Sequence, residues 1–245
     1  MKIYEYLRKL GVGKVSKEKN FRFSDSFYEN LGDLKTELKN SSLIDQARFY
    51  LASKFIIGDS LLDIGTYYGT FLKIALKKLK YIYGTEINDL RKNSANKVLG
   101  RDIVRTDFRH GKLSTFETNS IDTVACLETL EHVDDIDFAA SEIIRVARKR
   151  IIITVPYNQE PRYYLCIHCN KLTPQMNHIH KFDEAKIRKL FKNTHNIYMF
   201  KFGINLLYIN CFKKLHLPLG ILINLDRLIS HFRHSSCWLF AIIDK

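Results

Sequence analysis

Apolar positions along the chain alternate between two spacings. Leu43, Ala47, Tyr50 and Leu51 share one helical face, behind Ser41 or Ser42 as the cap. Residues 60–65 (SLLDIG) then form a short apolar run ending at a glycine, the pattern of a buried strand. Phe71, Leu72, Ala75, Leu76 and Leu79 return to helical spacing. Residues 81–87 (YIYGTEI) and 101–106 read as the second and third strands. Residues 121–127 (IDTVACL) form the fourth, after the turn-like 117–120. Ile136, Ala140, Ile143, Ile144 and Ala147 mark another helix, with Arg145, Arg148 and Lys149 at its negative end. Residues 150–155 (RIIITV) are a fifth strand, stopped by Pro156. This alternation predicts an α/β fold with a Rossmann-like, doubly wound parallel sheet. Ligands of such sheets sit at the carboxyl ends of the strands.

The flanks are less regular. Residues 1–40 read as an N-terminal extension, a short helix and a polar loop, ahead of one domain over 41–245. An insertion is expected at about 157–181, a helix near 183–191 and a sixth strand over 200–212. In a helical segment at about 213–236, Pro218 can open a helix carrying Leu219, Ile221, Leu222, Leu225, Leu228 and Ile229. Lys213, Lys214, Arg227 and Arg233 lie nearby, so the segment is either a packed lid or an interfacial element for a lipid-linked acceptor.

Composition narrows the class. A chain of 245 residues with 46% hydrophobic content supports one domain with additions and excludes disorder throughout. No run of about 18 apolar residues occurs, so no transmembrane segment is expected. The start, MKIYEYLRKL, lacks the apolar core of a signal peptide. Cysteines 126, 166, 169, 211 and 237 form an odd set without a disulfide framework, which suits a reducing cytoplasm. The net charge of +13 comes mostly from lysines spread along the chain, more a basic surface than a nucleic-acid stripe.

The first strand-to-helix turn carries the candidate cofactor chemistry. In Asp63-Ile-Gly65-Thr-Tyr67-Tyr-Gly69, Gly65 permits a sharp turn and Gly69 a close helix start. The N–H groups at that helix start favour an anionic group. Glu86, 21 residues beyond Gly65 (86 − 65), can accept from both ribose hydroxyls. Asp107 can accept from an adenine amino group, with Phe108 over the ring. A dinucleotide fingerprint needs G-x-G-x-x-G and a P-loop needs Gly-Lys-Ser/Thr; neither is present. S-adenosylmethionine has no pyrophosphate, so its site tolerates bulk where those loops need glycine. Asp63 suits its ammonium group.

In order, LLDIGTYYG, YGTEIN, RTDF and ACLETLEHV resemble the motifs of class I S-adenosylmethionine-dependent methyltransferases, of the type 11 kind. The match covers roughly 45–155, and the tail CWLFAIIDK is similar to their last antiparallel strand. The resemblance implies a seven-stranded sheet, S-adenosylmethionine as cofactor, and contacts among Asp63, Gly65, Tyr67, Gly69, Glu86, Ile87, Asp107, Phe108 and Leu127. Tyr67 stands where many members have glycine.

The acceptor side begins at Glu128-Thr-Leu-Glu131-His132. Methyl transfer to a hydroxyl needs alignment and removal of a proton, for which His132 has the suitable unperturbed pKa. The E-x-x-E-H pattern also resembles ubiquinone-biosynthesis O-methyltransferases and some small-RNA 2′-O-methyltransferases. That resemblance implies a divalent metal on Glu128, Glu131 and His132, with His178 as a candidate fourth ligand. A third reading is that Glu131 and His132 only shape the pocket. Cys166, Cys169, His178 and His180 have ligand types for a structural zinc, or belong to a plain loop. The leading expectation is O-methylation of a small, lipid-linked or glycan-linked acceptor. The rivals are RNA 2′-hydroxyl methylation, suggested by net charge and E-x-x-E-H, and a non-catalytic cofactor-fold partner protein.

Overall fold

A computed structural model describes residues 43–166, 170–203, 219–231 and 237–245. The expected N-terminal extension, the Ser41 or Ser42 cap, Cys169, and Lys213, Lys214, Pro218 and Arg233 lie outside the described residues. Helix α1 (Leu43–Phe55) precedes strand β1 (Ser60–Ile64), α2 (Thr70–Ala75), β2 (Tyr81–Thr85), α3 (Asp89–Leu99) and β3 (Val104–Arg105). Then come β4 (Ile121–Leu127), α4 (Ile136–Val146), β5 (Ala147–Pro156) and a hairpin of β6 (Tyr163–Leu165) and β7 (Leu172–Pro174). Finally α5 (Glu184–Leu190), β8 (Asn196–Phe202), α6 (Leu219–His231) and β9 (Trp238–Asp244) complete the order.

The main sheet has seven strands in the order β3-β2-β1-β4-β5-β9-β8. Its first five strands are parallel, and β9 runs antiparallel between β5 and β8. All residues of β1 and β4 are buried, as a parallel sheet covered on both faces requires. Alternate side chains feed two cores. Leu62, Ile64, Val124, Cys126, Ile151 and Ile153 meet Ile143 and Val146 of α4 and Ile187 of α5. Leu61, Ala125, Leu127, Ile152 and Phe240 meet Ala47 and Leu51 of α1 and Phe71 and Leu72 of α2. Each fully buried Leu, Ile or Phe here contributes roughly 1.5–3 kcal/mol.

Some elements differ from the sequence reading. The third strand shortens to two residues, because Asn96 of α3 takes up the N–H groups of Ile103 and Val104 and the Val104 carbonyl. Helix α3 has no apolar stripe to announce it, since it buries only Arg91, Ala95 and Leu99. Its signals are the ends: Asn88 accepts from Arg91 N, and Gly100 closes it at φ 64°. The sixth sheet strand lies at Asn196–Phe202, ahead of the expected position, because its partner β9 pairs there.

Candidate active site

Two loops at the carboxyl edge of the sheet are tied together at Gly65. Its φ is 74°, and a Cβ there would collide with the Thr129 hydroxyl, so glycine is required twice over. Thr129 Oγ1 in turn donates to the Ile64 carbonyl at 3.1 Å, joining the β1 turn to the β4 turn. Gly65 N and Thr66 N both donate to the Thr85 carbonyl, at 3.0 and 2.9 Å. Gly69, at φ 79°, caps α2 without a side chain. The departure at Tyr67 has a physical account. Its backbone keeps the left-handed φ of 56° that glycine would take, at a cost of about 1–2 kcal/mol. Tyr67 N donates to Glu86 Oε2 at 3.0 Å, and the Arg91 guanidinium lies 4.5 Å from the Tyr67 ring centre.

Four carboxyl groups lie at or just after the carboxyl ends of β1, β2 and β4. Asp63 is 3% exposed, and burial, with the nearby Glu86 charge adding, pushes its pKa up to about 8. Burial also raises Glu86, against hydrogen bonds from Asn88, Tyr67 and Ile87 and the Arg91 charge. Its Oε2 accepts from Tyr67 N and Oε1 from Asn88 N, and with Ile87 N beside them the carboxylate keeps acceptor capacity for a hydroxyl. Glu128 and Glu131 are both raised by burial first. Burial thus favours the neutral form of each group, and a cation or donor reaching this edge would favour the charged form.

Asp107 does not fit the role expected from sequence. Oδ1 accepts from Phe108 N and Ser114 N, and Oδ2 from Thr115 N and the Thr115 hydroxyl. Those four donors fill its lone pairs, so an adenine amino group would have to displace one. Asp107 shapes the loop after β3. Phe108 is 5% exposed and packs into the core beneath the edge. Ile87 is half-buried after β2, and Leu127 is buried at the end of β4.

The E-x-x-E-H residues divide into two groups. Glu128 turns toward α1 and β9: Oε2 accepts from Trp238 Nε1 at 2.6 Å and lies 3.7 Å from Arg48. Oε2 thus has other partners, and Glu128 does not join the group that Glu131, His132 and His178 form. Glu131, His132 and His178 do come together, with one ligand atom from each within 4.8 Å of the others. Glu131 is 1% exposed and neither carboxylate oxygen has a hydrogen-bond partner. His132 Nδ1 lies 3.2 Å from the Asn177 carbonyl, which can only accept, so Nδ1 carries the proton and Nε2 the lone pair. Burial, then the His178 ring, pushes His132 down to about 4. Burial lowers His178 as well, so both imidazoles are neutral at neutral pH.

A structural zinc is not assembled among the described residues. His178 faces His132, with ring centres 4.9 Å apart, whereas His180 Nε2 bonds the Val133 carbonyl at 2.7 Å. The two histidines part although alternate residues of a regular strand would share a face, because each is held by a different partner. The pairing of His178 with Glu131 was legible only as the candidate fourth ligand. Its signal in the structure is Ile179 N, which donates to the Glu131 carbonyl at 3.0 Å and carries the insertion across the β4 turn. A cleft of about 500 Å³ between Tyr81, Tyr83, Arg105 and Arg148 lies at the opposite edge, away from all these groups.

Comparison with known proteins agrees with this geometry. Residues 62–153 match the family model of a methyltransferase domain, spanning β1 through most of β5. The chain carries a methyltransferase domain with the fold of the class I S-adenosylmethionine-dependent enzymes. The methyltransferase fold is shared with a SAM-dependent methyltransferase from Archaeoglobus fulgidus at 14% identity and TM-score 0.61, over 86% of this chain and 97% of that one. A second similar structure is an S-adenosylmethionine-dependent methyltransferase from Mesorhizobium loti, at 12% identity and TM-score 0.56, over 83% and 100%. A third is the Haemonchus contortus phosphoethanolamine N-methyltransferase 2, bound to phosphomonomethylethanolamine and S-adenosylhomocysteine. It gives 16% identity and TM-score 0.52 over 82% of this chain and 52% of that one. No curated protein matches the chain by sequence. Among the described residues, no helix is long and apolar enough to cross a membrane.

Proposed function

We propose that this methyltransferase acts on a hydroxyl oxygen of a small, lipid-linked or glycan-linked acceptor, with a divalent metal on Glu131, His132 and His178. The observation that carries the reading is the buried Glu131 carboxylate, with both oxygens unpartnered, beside two neutral imidazoles. A lone buried carboxylate is costly unless a cation or donor meets it. Imidazole nitrogens with a carboxylate suit a first-row divalent ion. The hydrogen bond from His132 Nδ1 to the Asn177 carbonyl orients the ring, as the outer hydrogen bond of a metal-bound histidine does. Bound there, the ion would lower the acceptor hydroxyl's pKa and hold its oxygen.

The chain's own residues do the rest. Asp63 takes the ammonium group of S-adenosylmethionine and Glu86 a ribose hydroxyl, while the β1 turn, fixed by Gly65 and Thr129, aligns the methyl group. The acceptor hydroxyl gives its proton to solvent, its oxygen bonds the methyl carbon in line, and the breaking C–S bond releases the neutral thioether S-adenosylhomocysteine. An imidazole with its pKa near 4 is a weak base at neutral pH, which favours the ligand role of His132 over general-base catalysis. The test titrates Mn²⁺ into chelator-treated protein. Wild type should bind close to one equivalent, and Glu131→Gln should weaken this at least about tenfold while keeping S-adenosylhomocysteine affinity. In an acceptor screen, chelation should stop S-adenosylhomocysteine release and Mn²⁺ restore it. Full activity in chelator, with no Mn²⁺ uptake, would discard the metal.

A further inference from the structure

Among the described residues, strands β6 and β7 pair only with each other, and no further strand extends the ribbon. All of β6 is exposed: Tyr163 at 49%, Tyr164 at 57% and Leu165 at 50%. Met176, in the turn after β7, is 68% exposed. The ribbon is nevertheless anchored. Gln175 N donates to the Arg162 carbonyl at 2.6 Å and closes the base of the hairpin, and beyond it Ile179 N donates to the Glu131 carbonyl at 3.0 Å.

Helix α6, which packs beside β8 and α1, repeats the feature. Ile223 packs inward, while Ile221, Leu225 and Leu228 are 47%, 41% and 65% exposed, at the spacing of one helical face. Asp226 accepts from Gly203 N at 2.7 Å, which holds the helix at the carboxyl end of β8. Charge adds a direction. Residues 161–182 contain Arg162, Lys171 and Lys181 and no acidic residue, and Arg162 and Lys171 are exposed where β6 and β7 begin.

We propose that the β6–β7 hairpin and α6 together seat the enzyme on an anionic lipid bilayer, with the acceptor site facing the membrane. Leu165, Met176, Ile221, Leu225 and Leu228 are aliphatic, which suits the acyl boundary better than stacking on nucleic-acid bases. Tyr163 and Tyr164 place amphipathic rings at headgroup depth, and Arg162 and Lys171 meet the anionic headgroups. This surface goes beyond the methyl-transfer reading and does not depend on it, though it would deliver a lipid-linked acceptor directly to His178.

The full chain is floated with vesicles of phosphatidylcholine alone, or of phosphatidylcholine with phosphatidylglycerol. Wild type should partition to the anionic vesicles, and less so in high salt. Tyr164→Ser with Leu165→Ser, and separately Arg162→Glu with Lys171→Glu, should each weaken partition about tenfold or more. Both should keep wild-type S-adenosylhomocysteine affinity and melting temperature, which separates loss of the surface from loss of the fold or the cofactor site. No partition, or partition unaffected by both double variants, overturns the proposal. Binding of a single-stranded RNA oligonucleotide that the hairpin variants abolish, with no vesicle binding, overturns it in favour of RNA.

Discussion

With Asp63 proposed to take the cofactor's ammonium, its pKa of about 8 predicts that cofactor affinity depends on pH. In the free enzyme the carboxyl group is protonated at neutral pH, and it must ionise to pair with the ammonium of S-adenosylmethionine. Each pH unit below the pKa then costs about 1.4 kcal/mol, or tenfold in affinity. Between about pH 5.5 and 7.5 the ligand's α-amino group stays largely protonated, so the dissociation constant should fall close to a hundredfold on going up. Calorimetry in two buffers of different ionisation enthalpy should show close to one proton released per cofactor near pH 6.5. Asp63→Asn should bind weakly, with a flatter pH profile and less proton release. The sign also holds for stability. A folded pKa above the ordinary 3.8 means the folded chain holds this proton more tightly, so stability declines as pH rises from about 4 to about 8. Saturating S-adenosylhomocysteine should offset that decline. Flat wild-type affinity over this range, with no proton release, would refute the assignment of Asp63 to the ammonium.

Asp107→Asn should act on the loop and not selectively on the cofactor. It replaces one of two fully used acceptor oxygens by a donor, and should cost about 1–3 kcal/mol in urea unfolding. A variant with wild-type stability but lost cofactor affinity would restore the adenine role. Gly65→Ala combines a forbidden φ with a clash against Thr129, and should lower S-adenosylhomocysteine affinity at least about tenfold by displacing the β1 turn from the β4 turn. Wild-type affinity in calorimetry would show that the junction is not needed.

Sequence alone determined what depends on period and on local backbone. Alternation of apolar runs located β1, β4 and β5 and the helix between them to within a few residues, because buried parallel strands have little freedom of composition. Gly65 and Glu86 were legible from spacing, since a strand-to-helix turn needs the first and a strand end presents the second. Helix α3 was not, because a helix that buries three residues needs no apolar stripe, and tertiary contact with β3 supplies its register. Which way a carboxylate turns is a tertiary matter. Asp107, Glu128 and Glu131 look alike in sequence. The structure gives Asp107 to its own loop, Glu128 to Trp238 and Arg48, and leaves Glu131 unpartnered beside two histidines. Trp238 stands 110 positions after Glu128 (238 − 128), and no local pattern connects them. His178 reaches Glu131 for the same reason: the insertion crosses the β4 turn and is fixed by a backbone bond that any residue type could make. Hydrophobic period selects the sheet, but the partner of a buried charge is chosen by chains that meet only after folding.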